Sequence, residues 1–121
     1  MHNYIMYNCI MYSKELLKGT LKTIVLQLLT ENDKMYGYEI AKLVKHRSQE
    51  RILLTEGALY PTLHRLEAEG LVETESIEIG KRMRKYYKLT EPGKEAATQK
   101  VSEFDRFVQT MHILLHPQTT S

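Results

Sequence analysis

Thr55-Glu56-Gly57-Ala58-Leu59-Tyr60-Pro61-Thr62-Leu63-His64-Arg65-Leu66-Glu67-Ala68-Glu69-Gly70-Leu71 reads as one short helix with both ends marked. Thr55 can accept a hydrogen bond from a free backbone N–H of the first turn, and Glu56 places negative charge beside the positive end of the helix dipole. Gly70 suits the left-handed residue that closes a helix, and Leu71 can fold back on the last turn. Leu59, Leu63 and Leu66 stand at i, i+4 and i+7, one narrow stripe facing a core. Gly57, Pro61, His64, Arg65 and Ala68 fall opposite, with Tyr60 and Thr62 on the flanks. That outer face is small, aromatic and hydrogen-bonding, so it can approach a partner closely. Pro61 lacks an N–H and kinks a helix away from its first turn, which moves the expected start toward Leu59.

Before this helix, Leu17, Leu21, Ile24, Val25 and Leu28 form an amphipathic helix over Lys14 to Thr30, interrupted near its start by Gly19-Thr20. Glu31 to Lys34 make a turn. A second helix runs from Met35 to His46 with Ile40, Leu43 and Val44 inward and Lys42, Lys45 and His46 outward. Gly37 near its start predicts a close approach to another backbone. Arg47 to Leu54 connects to the marked helix, with Ile52, Leu53 and Leu54 covering the core edge.

After Gly70 the period becomes two-fold. Leu71 to Ile79 and Lys85 to Thr90 are expected to be strands of a β-hairpin, with Gly80 to Arg84 as a flexible turn. Lys81, Arg82, Arg84, Lys85 and Lys88 lie here with no acid among them, a local positive patch in a chain whose net charge is only +2. Tyr86 and Tyr87 point to opposite faces, so one belongs to the core and the other supports the hairpin. Thr90 then caps a new helix with Pro92 in its first turn. Along it, Ala97, Val101, Phe104, Val108, Met111 and Leu115 are 4, 3, 4, 3 and 4 residues apart, a coiled-coil seam widened by Phe107 and Leu114. Three short helices cannot cover so long a stripe, so a homodimer is expected.

The 121 residues, with 42% apolar and 26% charged, suit one small globular domain. No apolar run is long enough to span a bilayer. A single cysteine, Cys9, forms no internal disulfide, and with no secretory pattern in view a cytoplasmic location is expected. Residues 1–12 are apolar and aromatic, with Met6 and Met11 as alternative starts. They are read as a disordered extension, a segment joining the dimer, or a membrane-surface anchor. Residues 13–90 are expected to form one folded unit holding the marked helix and the hairpin, 91–116 a dimerisation helix and 117–121 a frayed tail. Arg65 can instead pair with Glu69 at i+4, and His112 with His116 could share a metal, although no further ligand is near in sequence. No metal site, cofactor or catalytic residue is expected, because the chain has no phosphate-cradling loop, ligand cluster or activated nucleophile.

Together these elements are mainly α with a small β-hairpin, a winged helix-turn-helix followed by a C-terminal dimerisation helix. In that arrangement the marked helix enters the major groove, about 12 Å wide, and the hairpin tip meets phosphates. Tyr60, Thr62, His64 and Arg65 are candidates for reading bases, and Lys81, Arg82, Arg84 and Lys85 for phosphate contact. Tyr38, Lys42, Thr55, Gly57 and Pro61 complete the expected DNA-facing set. A winged helix used only as a protein-interaction module is the rival reading.

Gly19-Thr20-Leu21, Tyr36-Gly37-Tyr38-Glu39-Ile40, Gly57-Ala58-Leu59-Tyr60-Pro61-Thr62-Leu63 with Arg65-Leu66-Glu67 and Gly70-Leu71, Arg84-Lys85-Tyr86-Tyr87, and Leu89-Thr90-Glu91-Pro92-Gly93 carry a resemblance to the PadR family of bacterial transcriptional regulators. It covers roughly residues 16 to 97 in unbroken order. The resemblance implies a homodimeric repressor on a pseudo-palindromic operator, often released by a small molecule or cell stress. Ala58 stands where the family commonly has Thr. The single C-terminal helix resembles a subgroup in which some members hold flat drugs between tryptophans, and this chain has no Trp to carry that mode over.

Overall fold

The computed structural model describes residues 12–118. The reading of residues 1–12 therefore falls outside the described residues except for Tyr12, as do Cys9 and residues 119–121. The elements are α1 (Lys14–Lys18), α2 (Leu21–Glu31), β1 (Met35–Tyr36), α3 (Gly37–Arg47), α4 (Glu56–Ala68), β2 (Val72–Ile79), β3 (Arg82–Leu89) and α5 (Glu91–Leu115). The sheet is antiparallel in the order β1-β3-β2.

The expected first helix is two helices. Gly19 closes α1, and the Thr20 hydroxyl donates to the Leu17 carbonyl at 2.9 Å, so the chain turns before Leu21. Met35 and Tyr36, expected to be helical, form a strand that pairs with Tyr87 and Tyr86 of β3. Glu39 explains the change, because its Oε1 accepts the Tyr36 N–H at 3.1 Å and starts the helix only at Gly37.

The helix ends behave as their residues predict. The Thr55 hydroxyl accepts the Ala58 N–H at 3.2 Å, and Thr90 accepts that of Gly93 at 3.1 Å. Gly70 has φ +76°, with Gly70 N–H bonded to Glu67 O and Leu71 N–H to Leu66 O, a complete Schellman closure. Helix α4 nevertheless begins at Glu56 and continues through Pro61. The residue four before Pro61 is Gly57, whose carbonyl loses its intrahelical partner there.

The core joins Val25, Leu26, Leu28 and Leu29 of α2, Ile40 and Val44 of α3, and Leu59, Leu63 and Leu66 of α4 with Val72, Tyr87 and Leu89 of the sheet. Each such side chain contributes about 1.5–3 kcal/mol when fully buried. Ala97 is 2% exposed and belongs to this same core, because α5 lies on α2 over its first turns. Val101 is half-buried against the same body. The expected seam is thus divided. Ala97 and Val101 serve their own domain, and from Phe104 onward the apolar side chains are exposed except Met111, which is half-buried.

Candidate nucleic-acid interface

Helices α3 and α4 make the helix-turn-helix, and β2 with β3 make the wing. On α4, Gly57, Pro61, His64, Arg65 and Ala68 are exposed on one face, as is Thr55 at its cap. Thr62 is not part of that face. It lies three residues after Leu59 and four before Leu66, inside the core stripe, and is 0% exposed. Its hydroxyl donates to the Ala58 carbonyl at 2.9 Å and accepts from Arg65 Nη2 at 3.3 Å. Thr62 therefore cannot read a base and instead orients the arginine beside it. The Arg65–Glu69 pair does not form, since Glu69 meets Lys22 of α2 at 2.6 Å.

Tyr60 is half-buried. Its ring lies against Gly37, where a β-carbon would fall 2.7 Å from Tyr60 Cζ. The close approach expected at Gly37 is thus to a side chain and not to a backbone. Tyr38, 66% exposed, lines a groove with Lys42 and His46 on the outer side of α3. Arg47 carries no free charge to this surface, since it pairs with Glu31. Hydrogen bonds from Gln27 and Arg47 hold the Glu31 carboxyl below its usual range.

The wing tip is tighter than expected. Ile79 pairs with Arg82, leaving a two-residue turn of Gly80 and Lys81 in which Gly80 has φ +63°. A left-handed glycine at the first central position is the pattern of a type II′ turn, whose twist matches the strands. Arg82, Arg84 and Lys85 consequently sit in a strand ladder rather than on a flexible loop. Lys81, Arg82 and Lys85 are exposed, while Arg84 is half-buried. Tyr87 is buried, and Tyr86 lies edge-on to Tyr36 with ring centroids 5.4 Å apart, as the alternation of the strand requires.

Two cations escaped the sequence reading. Lys14 and Lys18 of α1 line a groove with Thr55, Gly57, Pro61 and Arg65. Their i, i+4 spacing was a signal, but only the fold brings α1 beside the start of α4. At the far end of the molecule the rings of His112 and His116 lie 4.6 Å apart. Among the described residues no group of three or more His, Cys, Asp or Glu is placed to hold a metal ion, and no helix is long and apolar enough to cross a membrane.

The arrangement offers a small-residue helix face flanked by cations on both sides, which suits a duplex groove and its bordering phosphates. Comparison with known proteins gives the same answer. The model of the transcriptional regulator PadR-like family matches residues 25–99. The chain is 41% identical over 59 residues to transcriptional regulator Rv3488 of Mycobacterium tuberculosis, covering 49% of this chain and 55% of that protein. A transcriptional regulator from Clostridium thermocellum superposes with a TM-score of 0.76 at 31% identity, over 84% of this chain and 95% of the other. A PadR family transcriptional regulator from Eggerthella lenta also gives 0.76 at 31% identity, over 86% and 88%. The helix-turn-helix, the basic wing and these matches together place the chain in the PadR-like family, as a DNA-binding transcriptional regulator.

Proposed function

We propose that this regulator acts as a homodimeric repressor on a pseudo-palindromic duplex site and is released from it by a small molecule or stress signal. The observation that carries the reading is the outer half of α5. Phe104, Phe107 and Val108 are 39%, 56% and 47% exposed, and Ile113, Leu114 and Leu115 lie bare beyond them. A 25-residue helix is about 37 Å long, and an apolar row of this kind calls for cover. A second copy supplies it through Phe104, Phe107, Val108, Met111 and Leu115. Two α4 helices held by such a pair would meet successive major grooves, about 34 Å apart. A dimer seated in this way excludes other proteins from the same DNA.

Tyr38, Lys42, Gly57, Pro61, His64 and Arg65 are the proposed reading and positioning surface, with Thr55 and Tyr60 shaping it and Lys81, Arg82 and Lys85 of the wing meeting phosphates. An apolar groove of about 350 Å³, lined by Ile24, Leu28, Val44, Ile52 and Val101, supports the effector arm. It lies where α5 leaves the domain, so an apolar molecule seated there would alter the angle between the two reading helices.

The test is selection of bound duplexes from a random pool, with solution mass measured in parallel. A palindromic site bound by a dimer is the expected result. Failure to enrich any sequence, with binding that vanishes as salt rises, would leave only electrostatic attraction and favour a protein-interaction module.

A further inference from the structure

The cations of the wing are not placed alike. Arg84 is half-buried, and its guanidinium carbon lies 4.1 Å from the centroid of the Tyr36 ring on β1. Tyr36 meets Tyr86 edge-on and runs nearly parallel to Tyr38, with centroids 6.4 Å apart and an interplanar angle of 18°. Its backbone N–H is held by Glu39 in the first turn of α3. The Tyr86 hydroxyl above all, with Tyr36 and Glu39 nearby, holds the Arg84 guanidinium more firmly protonated than a free arginine. One side chain thus joins the wing to the helix-turn-helix.

The joint matters because, among the described residues, the other ties on that side reach no nearer the tip than Tyr86: the Met35–Tyr87 and Tyr36–Tyr86 pairs, and Lys34, which meets Glu75 at 3.4 Å and lies over the Tyr86 ring. Beyond Tyr86 the edge of β3 runs free toward the tip. A tip four residues farther on lies about 13 Å away, so a swing of roughly 10° moves it by about 2 Å. That is enough to break a hydrogen bond to a phosphate.

We propose that Arg84 is a positioning residue, which sets the angle of the wing by clamping on Tyr36 and leaves phosphate contact to Lys81, Arg82 and Lys85. A guanidinium seated on an aromatic face has fewer N–H groups free to meet a phosphate. The proposal rests on the DNA-binding function of the chain and does not require the palindromic site.

The experiment measures affinity against salt concentration for a mixed-sequence duplex and for any enriched one. Arg82→Gln should lower the slope of log K against log salt by about 1, as loss of a phosphate contact does. Arg84→Gln should leave that slope unchanged while weakening binding about 2- to 30-fold. Tyr36→Leu should weaken it similarly, and the double variant should be no worse than either single one, with Arg84→Gln still unfolding in one cooperative transition. A slope reduced by about 1 in Arg84→Gln, or losses that multiply in the double variant, would overturn the proposal. Should Tyr36→Leu not fold, Arg84→Lys decides. It keeps the charge but not the planar fork, so affinity like that of Arg84→Gln supports positioning and wild-type affinity refutes it. Failure to enrich a palindrome with these slopes intact would count against the repressor reading alone.

Discussion

The phenol of Tyr60 on α4 rests on Gly37, the first residue of α3, so closely that no side chain fits between them. The two helices of the helix-turn-helix are therefore registered by a ring against a bare backbone. This contact fixes how far α4 stands out from α3, and with it the reach of Pro61, His64 and Arg65.

Gly37→Ala is expected to cost about 1–3 kcal/mol of stability, the usual range for overpacking. Tyr60→Phe in the same chain should restore part of it, because the hydroxyl is the atom nearest the added carbon. Urea unfolding of the parent and these two variants measures this, and an unaltered midpoint for Gly37→Ala would contradict the geometry.

Gly93→Ala should be worse. Its β-carbon would overlap the Leu71 carbonyl oxygen and lie 3.0 Å from the carbonyl carbon, backbone atoms that cannot rotate away. That carbonyl also accepts the Thr90 N–H at 3.1 Å, so moving it disturbs the start of α5. A loss above about 3 kcal/mol is expected in the same unfolding assay, and a loss smaller than that of Gly37→Ala would reverse the ranking.

Thr62→Val keeps the shape of a buried residue and removes its hydroxyl. About 1 kcal/mol of stability should go, and Arg65 should lose its tether. Repeating the duplex selection with this variant is expected to broaden preference at one base pair in each half-site. An identical selected sequence would mean that Arg65 needs no such support.

Phe104→Glu puts a charge in the middle of the exposed apolar row of α5. If the parent is the proposed dimer, light scattering should then give half its mass. Affinity for the enriched duplex should fall about 100-fold or more as the two half-sites are no longer bound together. A parent chain that is already monomeric, or a variant of unchanged mass, removes the seam argument.

Burial pushes the Tyr87 phenol above its ordinary value, with Tyr60 and Glu67 adding to the effect. Because the folded value lies above the unfolded one, its contribution is whole below about pH 10 and is lost as pH rises through the folded value. The loss can reach about 1.4 kcal/mol per pH unit in that window. Unfolding measured from about pH 8 to 11 should show a shallower alkaline decline in Tyr87→Phe than in the parent. Equal slopes would place the sensitivity elsewhere.

Much of this molecule is legible along the chain because its causes are local. Thr55, Thr90 and the Gly70-Leu71 pair act within a single turn, so the ends of α4 and the start of α5 follow from nearest neighbours. The alternation of Tyr86 and Tyr87 follows from the pleat. The burial of Thr62 was missed, although its spacing from Leu59 and Leu66 puts it in the core stripe whatever its polarity.

Contacts between distant segments are another matter. That Ala97 fills its own core, that Met35-Tyr36 is a strand, that Lys14 and Lys18 flank α4, and that Glu69 prefers Lys22 over Arg65 all depend on segments far apart in sequence. Arg84 shows the difference most plainly. Its neighbours in the chain make it one of a run of wing cations, and only the closing of β3 on β1 sets it over Tyr36. Periodicity and capping are short-range energies written into adjacent residues, so they settled most of the helices and the hairpin. Which of those residues face outward, and which hold the others in place, was decided by packing, because a side chain's partner is chosen by the whole fold.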